Sequence, residues 1–119
     1  MRAGVDRADG VATVRLTYAE ARAALARHRR EGALTTSELR HAVGALDREW
    51  TAYNVIEVTE TLVRLAGGLA ERHALRAYDA VQLASALEVR AAGVSVEFCA
   101  FDARLNRAAR RERLSLFTR

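Results

Sequence analysis

The sequence predicts an α/β protein with a short parallel sheet flanked by helices. Three β-branched, mostly apolar runs, at 11–16, 54–58 and 95–101, alternate with longer stretches whose apolar residues recur at helical spacing. Such alternation points to parallel strands, because parallel neighbours need a crossover connection between them. The stretch 76–87 adds a third observation. There Ala80, Leu83, Ala84 and Leu87 fall at i, i+3, i+4 and i+7, one face of a helix that belongs in a core. Asp79 stands in the first turn of that helix, beside Tyr78, and so at the rim of the core.

Each element has a local reason. Residues 1–9 read as the tail of a helix closed by Gly10. The run 11–16 is apolar at successive positions, as in a strand buried on both faces. Thr17 is placed to cap a helix over 18–31, ended by Gly32, and a second helix starts near Thr35–Ser37 and runs to about Tyr53. Leu39, Val43, Leu46, Trp50 and Tyr53 form a narrow 4-3-4-3 seam along it, and the short link predicts an antiparallel helical hairpin. After strand 54–58, Thr59 caps a helix to about His73 with Leu62, Leu65, Ala66 and Leu69 inward. Gly67 and Gly68 in its middle mean either a close neighbour or a weak helix. Gly93 closes the 76–87 helix, Asp102 opens a last one to about Arg113, and 114–117 can add an edge strand.

Composition sets the class. The chain of 119 residues is long enough for one domain with one core, half of it is apolar and 29% is charged. All 19 basic residues are arginine, giving a net charge of +4. Guanidinium groups match phosphate bidentately, although a GC-rich genome would produce the same bias. Cys99 is the single cysteine and lies in an apolar run, so no disulfide can form within the chain. With no apolar leader and no run long enough to span a membrane, the expected location is the cytoplasm.

The acids carry the chemistry. Ligand sites of open parallel sheets form beyond the carboxyl ends of the strands. Glu20 follows strand 11–16, Asp102 follows strand 95–101, and Asp79 opens a helix at that same edge. Each also has a plain reading. Thr17 and Glu20 fit a capping box, Asp102 is a good N-cap, and Asp79 complements a helix dipole. Glu20 has no cation three or four residues away, however, so it is not an ordinary ion pair. Converging carboxylates repel by about 4 kcal/mol at 4 Å and an effective dielectric of 20, so a proton or cation must neutralise them. Carboxylate oxygens suit Mg²⁺ or Mn²⁺, and the matching reaction is phosphodiester hydrolysis.

Three blocks, at 11–20, 70–87 (Ala-Glu-Arg-His-Ala-Leu-Arg-Ala-Tyr-Asp-Ala-Val-Gln-Leu-Ala-Ser-Ala-Leu) and 98–109 (Phe-Cys-Ala-Phe-Asp-Ala-Arg-Leu-Asn-Arg-Ala-Ala), resemble PIN-domain ribonucleases of the VapC toxin type. The likeness covers nearly the whole chain as a single domain over 1–119, with the blocks in the family's order. It implies a PIN-like three-layer fold and an Mg²⁺- or Mn²⁺-dependent endoribonuclease acting on RNA. It also implies a cognate antitoxin and a homodimer. By the match, Glu20, Asp79 and Asp102 occupy three of the family's metal-holding acidic positions.

The chain departs from that pattern at its start. The family opens with a strand bearing its first catalytic Asp, followed by a helix. A strand plus crossover needs on the order of 20 residues, and ten precede Val11. Asp6 and Asp9 stand in the wrong context to replace that Asp, and Val14 and Ala100 stand where the family usually has hydroxyl residues. The sequence is therefore expected to be an N-terminally truncated PIN domain whose missing strand is the central one, with impaired cleavage. A late-assigned start, a remnant whose flanking strands pair directly, or a strand donated by a partner would each account for it. The rival reading is a non-catalytic truncated paralogue that binds antitoxin or a full-length toxin through the hairpin.

Among the remaining residues, Arg76 lies within a turn of Asp79 and is a candidate RNA contact. Arg104, Arg107 and Arg111 share one face of the last helix, either an RNA-phosphate stripe or a solvated surface. His28, His41 and His73 lack ligand spacing and read as surface residues. Trp50 and Tyr53 serve either the core or a docking surface for a dimer or antitoxin helix.

Overall fold

The computed structural model describes residues 10–100 and 102–117. Its elements are β1 (Ala12–Val14), α1 (Leu16–Arg30), α2 (Thr36–Trp50), β2 (Asn54–Ile56), α3 (Glu60–His73), α4 (Ala77–Ala91), β3 (Glu97–Phe98), α5 (Ala103–Arg111) and β4 (Ser115–Leu116). The helix tail expected over 1–9 lies outside the described residues. None of the described helices is long and apolar enough to cross a membrane.

The fold is α/β with parallel strand pairing, as expected. It takes the form of two ladders: β1 pairs parallel with β2, and β3 pairs parallel with β4. Among the described residues no strand is hydrogen-bonded between the two pairs. Each ladder extends by a bond beyond its strands, Asn54 N–H to the Val11 carbonyl, Arg15 N–H to that of Ile56, and Phe117 N–H to that of Phe98. The strands are shorter than their apolar runs. Leu16, which continues the β-branched run, is already the first residue of α1, so Thr17 lies inside that helix and does not cap it.

The chain divides into two compact units, one of residues 16–53 and one of residues 10–15 and 54–117. The first is the helical hairpin. Thr35 opens α2 with a complete capping box, accepting from Glu38 N–H while the Glu38 carboxylate accepts from Thr35 N–H. Gly32 takes the left-handed conformation (φ 85°) that turns the chain between the helices. The helices are antiparallel: Arg29 Nε donates to Thr36 Oγ1 at the turn, and Tyr18 donates to Asp47 Oδ1 at the open end. Tyr18, Trp50 and Tyr53 pack edge to face at that open end, with neighbouring centroids 5.5 and 5.8 Å apart.

The second unit holds the hydrophobic core, which gathers around α4. Ala80 to Ala86 are all buried, and Leu62, Ala66 and Leu69 of α3 lie against them. The one-faced stripe read from sequence is thus a helix covered on every side. Small Ala and Ser side chains let neighbours approach, and two buried polar groups bond within the helix. Ser85 donates to the Gln82 carbonyl at 2.7 Å, and Gln82 Nε2 donates to the Tyr78 hydroxyl. Val14, Phe98, Leu105 and Leu114 complete the core from β1, β3, α5 and the approach to β4.

One expectation for α3 needs correction, and one of two alternatives for its glycines falls. Leu65 is 38% exposed and turned outward, since Leu62, Ala66 and Leu69 already fill the inward stripe. Nothing stands within 4 Å of where a Cβ would sit on Gly67 or Gly68, so close approach does not explain the glycine pair.

Candidate active site

A tight joint between α3 and α4 positions the first acid. Ala74 ends α3 in the left-handed region (φ 54°), and Leu75 N–H bonds back to the Ala70 carbonyl, a helix-closing turn made without glycine. Arg76 then opens α4 with an extended backbone and no side-chain cap, which leaves Asp79 to face the positive end of the helix dipole.

The second acid sits where β3 gives way to α5. Asp102 is the N-cap, and its Oδ1 accepts from the backbone N–H groups of Arg104 at 2.7 Å and Leu105 at 3.3 Å. Both capping bonds use Oδ1, so Oδ2 is not consumed by the cap. Asn106 Nδ2 reaches back to the Ala100 carbonyl at 2.8 Å, tying the first turn of α5 to the exit of the strand.

Asp79 and Asp102 line one cleft of about 250 Å³, together with Leu75, Arg76, Arg104 and Arg107. Burial pushes the Asp79 carboxyl above the usual carboxylate range, and the charge of Asp102 pushes it the same way, while Arg76 opposes both. The structure thus brings together two of the three acids expected from sequence, along with Arg76, Arg104 and Arg107, three of the four arginines considered as RNA contacts. The third acid, Glu20, lies exposed on α1 in the hairpin unit, within the helix and outside its first turn. The capping-box reading of Glu20 is therefore not realised. Among the described residues no group of three or more His, Cys, Asp or Glu side chains is placed to hold a metal ion.

The family model for the PIN domain matches residues 2–111. The chain belongs to the PIN-domain family. Two curated relatives are ribonuclease VapC45 of Mycobacterium tuberculosis (strain CDC 1551 / Oshkosh) and ribonuclease VapC49 of Mycobacterium tuberculosis (strain ATCC 25618 / H37Rv). Each is 44% identical to this PIN domain over 104 residues, which cover 87% of this chain and 71% of the relative.

This PIN domain also has a partly buried ionic cluster that sequence reasoning missed. His73, expected at the surface, has a side chain only 5% exposed, and its Nε2 lies 2.7 Å from Glu112 Oε2. Arg72 Nη1 approaches the same oxygen at 2.7 Å, and Arg90 Nη1 donates to the Glu112 carbonyl at 3.0 Å. The hydrogen bond from His73, joined by that from Arg72, holds the Glu112 carboxyl below its ordinary value against the opposing effect of burial. The two partners stand 39 residues apart, so no local spacing could have signalled them.

Proposed function

We propose that this PIN domain is a divalent-metal-dependent endoribonuclease, the toxin of a toxin–antitoxin pair, with Glu20, Asp79 and Asp102 as the acids that hold Mg²⁺ or Mn²⁺. The observation that carries the reading is the shared cleft. Two carboxylates 23 residues apart in sequence converge there, and burial and mutual repulsion disfavour the charged form of Asp79. Such a pair favours a cation, and the donors fit the one proposed. Carboxylate oxygens are hard ligands, and Mg²⁺ binds through one or two carboxylates while keeping water and phosphate in its remaining positions. The 44% identity to two proteins named ribonucleases supports the same chemistry.

The chain's own residues divide the work. Asp79 and Asp102 present oxygens on one wall, and capping fixes Asp102 so that it need not reorganise when a cation arrives. Arg76, Arg104 and Arg107 line the same cleft and hold the scissile phosphate by charge-assisted hydrogen bonds. The bound ion supplies Lewis acidity at the phosphate and lowers the pKa of water.

The test is cleavage of a structured RNA with and without Mg²⁺. Asp79→Asn is expected to lower the rate at least 100-fold with an unchanged melting curve, and Glu20→Gln to raise the Mg²⁺ concentration needed. Metal-independent cleavage, or cleavage indifferent to Asp79→Asn, would overturn the assignment. A second reading, a non-catalytic paralogue docking antitoxin or a full-length toxin through the hairpin, draws on one observation. No three potential ligands gather among the described residues, so metal affinity and turnover are expected to be low. Exposed Val63 and Leu65 beside the open glycines of α3 are the surface we assign to a homodimer.

A further inference from the structure

Beside the acid cleft lies a second pocket, of about 340 Å³, lined by His73, Ala74, Arg104, Arg107, Ala108 and Arg111. Arg104 and Arg107 line both pockets, so the two share a wall. Their chemistry differs, because the second lining contains three arginines and no carboxylate. We propose that this pocket binds a backbone phosphate of single-stranded RNA adjacent to the phosphate held at the acid pair. The proposal rests on the ribonuclease reading and extends it from one phosphate to a strand.

Charge balance is the first argument. Three arginines elsewhere in this PIN domain form ion pairs, Arg15 with Glu57, Arg64 with Glu60 and Arg72 with Glu112. Among the described residues neither Arg107 nor Arg111 has an ion-pair partner. Arg104 is steered by a neutral acceptor, its Nη1 lying 3.4 Å from the Ala74 carbonyl, which leaves its charge uncancelled. Glu112, the acid nearest to Arg111 in sequence, is already engaged by His73 and Arg72. Three uncompensated guanidinium forks around one concavity form an anion site, and their planar geometry suits phosphate oxygens.

Geometry supplies the second argument. Arg104, Arg107 and Arg111 lie at i, i+3 and i+7, so they follow one face of α5 over about 10 Å of helix rise. That track begins at the acid pair and leads away from it, matching a strand that passes from the cutting site onto a neighbouring phosphate. His73 also lines the pocket, with its Nε2 committed to Glu112.

The experiment measures binding of a fluorescein-labelled 12-nucleotide single-stranded RNA by anisotropy, in EDTA so that no cleavage occurs, across a salt series. Arg111→Ala is expected to weaken binding three- to tenfold and to reduce the slope of log affinity against log salt by about 0.7, one phosphate contact. Arg111→Lys should restore the slope but not the full affinity, and Arg64→Ala, at an exposed ion pair, should change neither. Unaltered affinity and slope in Arg111→Ala would overturn the proposal, as would a wild-type chain that binds no RNA. So would a loss confined to an acidic antitoxin peptide with RNA binding intact. The two readings separate cleanly. If Arg111→Ala weakens RNA binding but Asp79→Asn still cleaves, the catalytic assignment falls and the phosphate pocket stands. If Asp79→Asn abolishes cleavage but Arg111→Ala binds like wild type, the reverse holds.

Discussion

α4 and the two helices of the hairpin are each 15 residues long, yet different forces hold them. α4 buries an unbroken run of seven residues, whereas α1 and α2 contain no fully buried residue. One is stabilised by removing apolar surface from water on all sides. The other depends on a capping box, a glycine turn and three aromatic rings at its open end. The comparison shows where this PIN domain keeps its stability and where it can yield. The acid cleft opens at the N-terminal end of its most deeply buried helix, while the hairpin is the unit most open to local unfolding.

The sharpest way to break that comparison is a cavity in α4. Leu83→Ala, at a fully buried position, is expected to lower unfolding stability by about 2–5 kcal/mol in urea denaturation. The next effect lies where the end of α5 is tethered to α3. Glu112→Gln should lose about 1–2 kcal/mol near neutral pH, as expected for hydrogen bonds to a charged group with one exposed partner. The sign follows from linkage. The folded carboxyl titrates below its ordinary value, so its stabilisation is present above the unfolded pKa and is lost as pH falls through the folded one. Wild type and variant should therefore converge in acid, and a gap that persists at low pH would refute the ionic account. In the hairpin, Trp50→Ala removes a half-buried ring between Tyr18 and Tyr53 and should cost about 1–2 kcal/mol. Hydrogen exchange should quicken mainly in α1 and α2. A loss as large as that of Leu83→Ala would erase the distinction drawn here. The smallest effect runs the other way. Gly67→Ala meets open space at an exposed helix-interior position and should stabilise by up to about 1 kcal/mol in thermal melts.

Much of this was legible in the residues. Thr35 and Thr59 marked helix starts, Gly32 and Gly93 marked exits, and the alternation of elements implied parallel pairing. The convergence of Asp79 and Asp102 followed from the rule that sites form at one edge of a parallel sheet. Other features were invisible for physical reasons. Strand 11–16 was read too long because β-branched propensity does not reveal that Leu16 has already entered a helix. The burial of α4 on every side was hidden because Gln82 and Ser85 look solvent-facing until their hydrogen bonds within the helix are seen. His73, in the last turn of α3, reads from sequence as a surface residue because it lacks ligand spacing. Its true partner lies at the end of α5, a long-range pairing that helix periodicity does not encode.

The left-handed residue that ends α3 has a consequence beyond its turn. Ala74 offers its carbonyl oxygen to a guanidinium 30 residues further along the chain. An acid in that position would hold the side chain just as firmly and silence it. A peptide oxygen restrains the arm while leaving the whole positive charge on offer to whatever enters the groove.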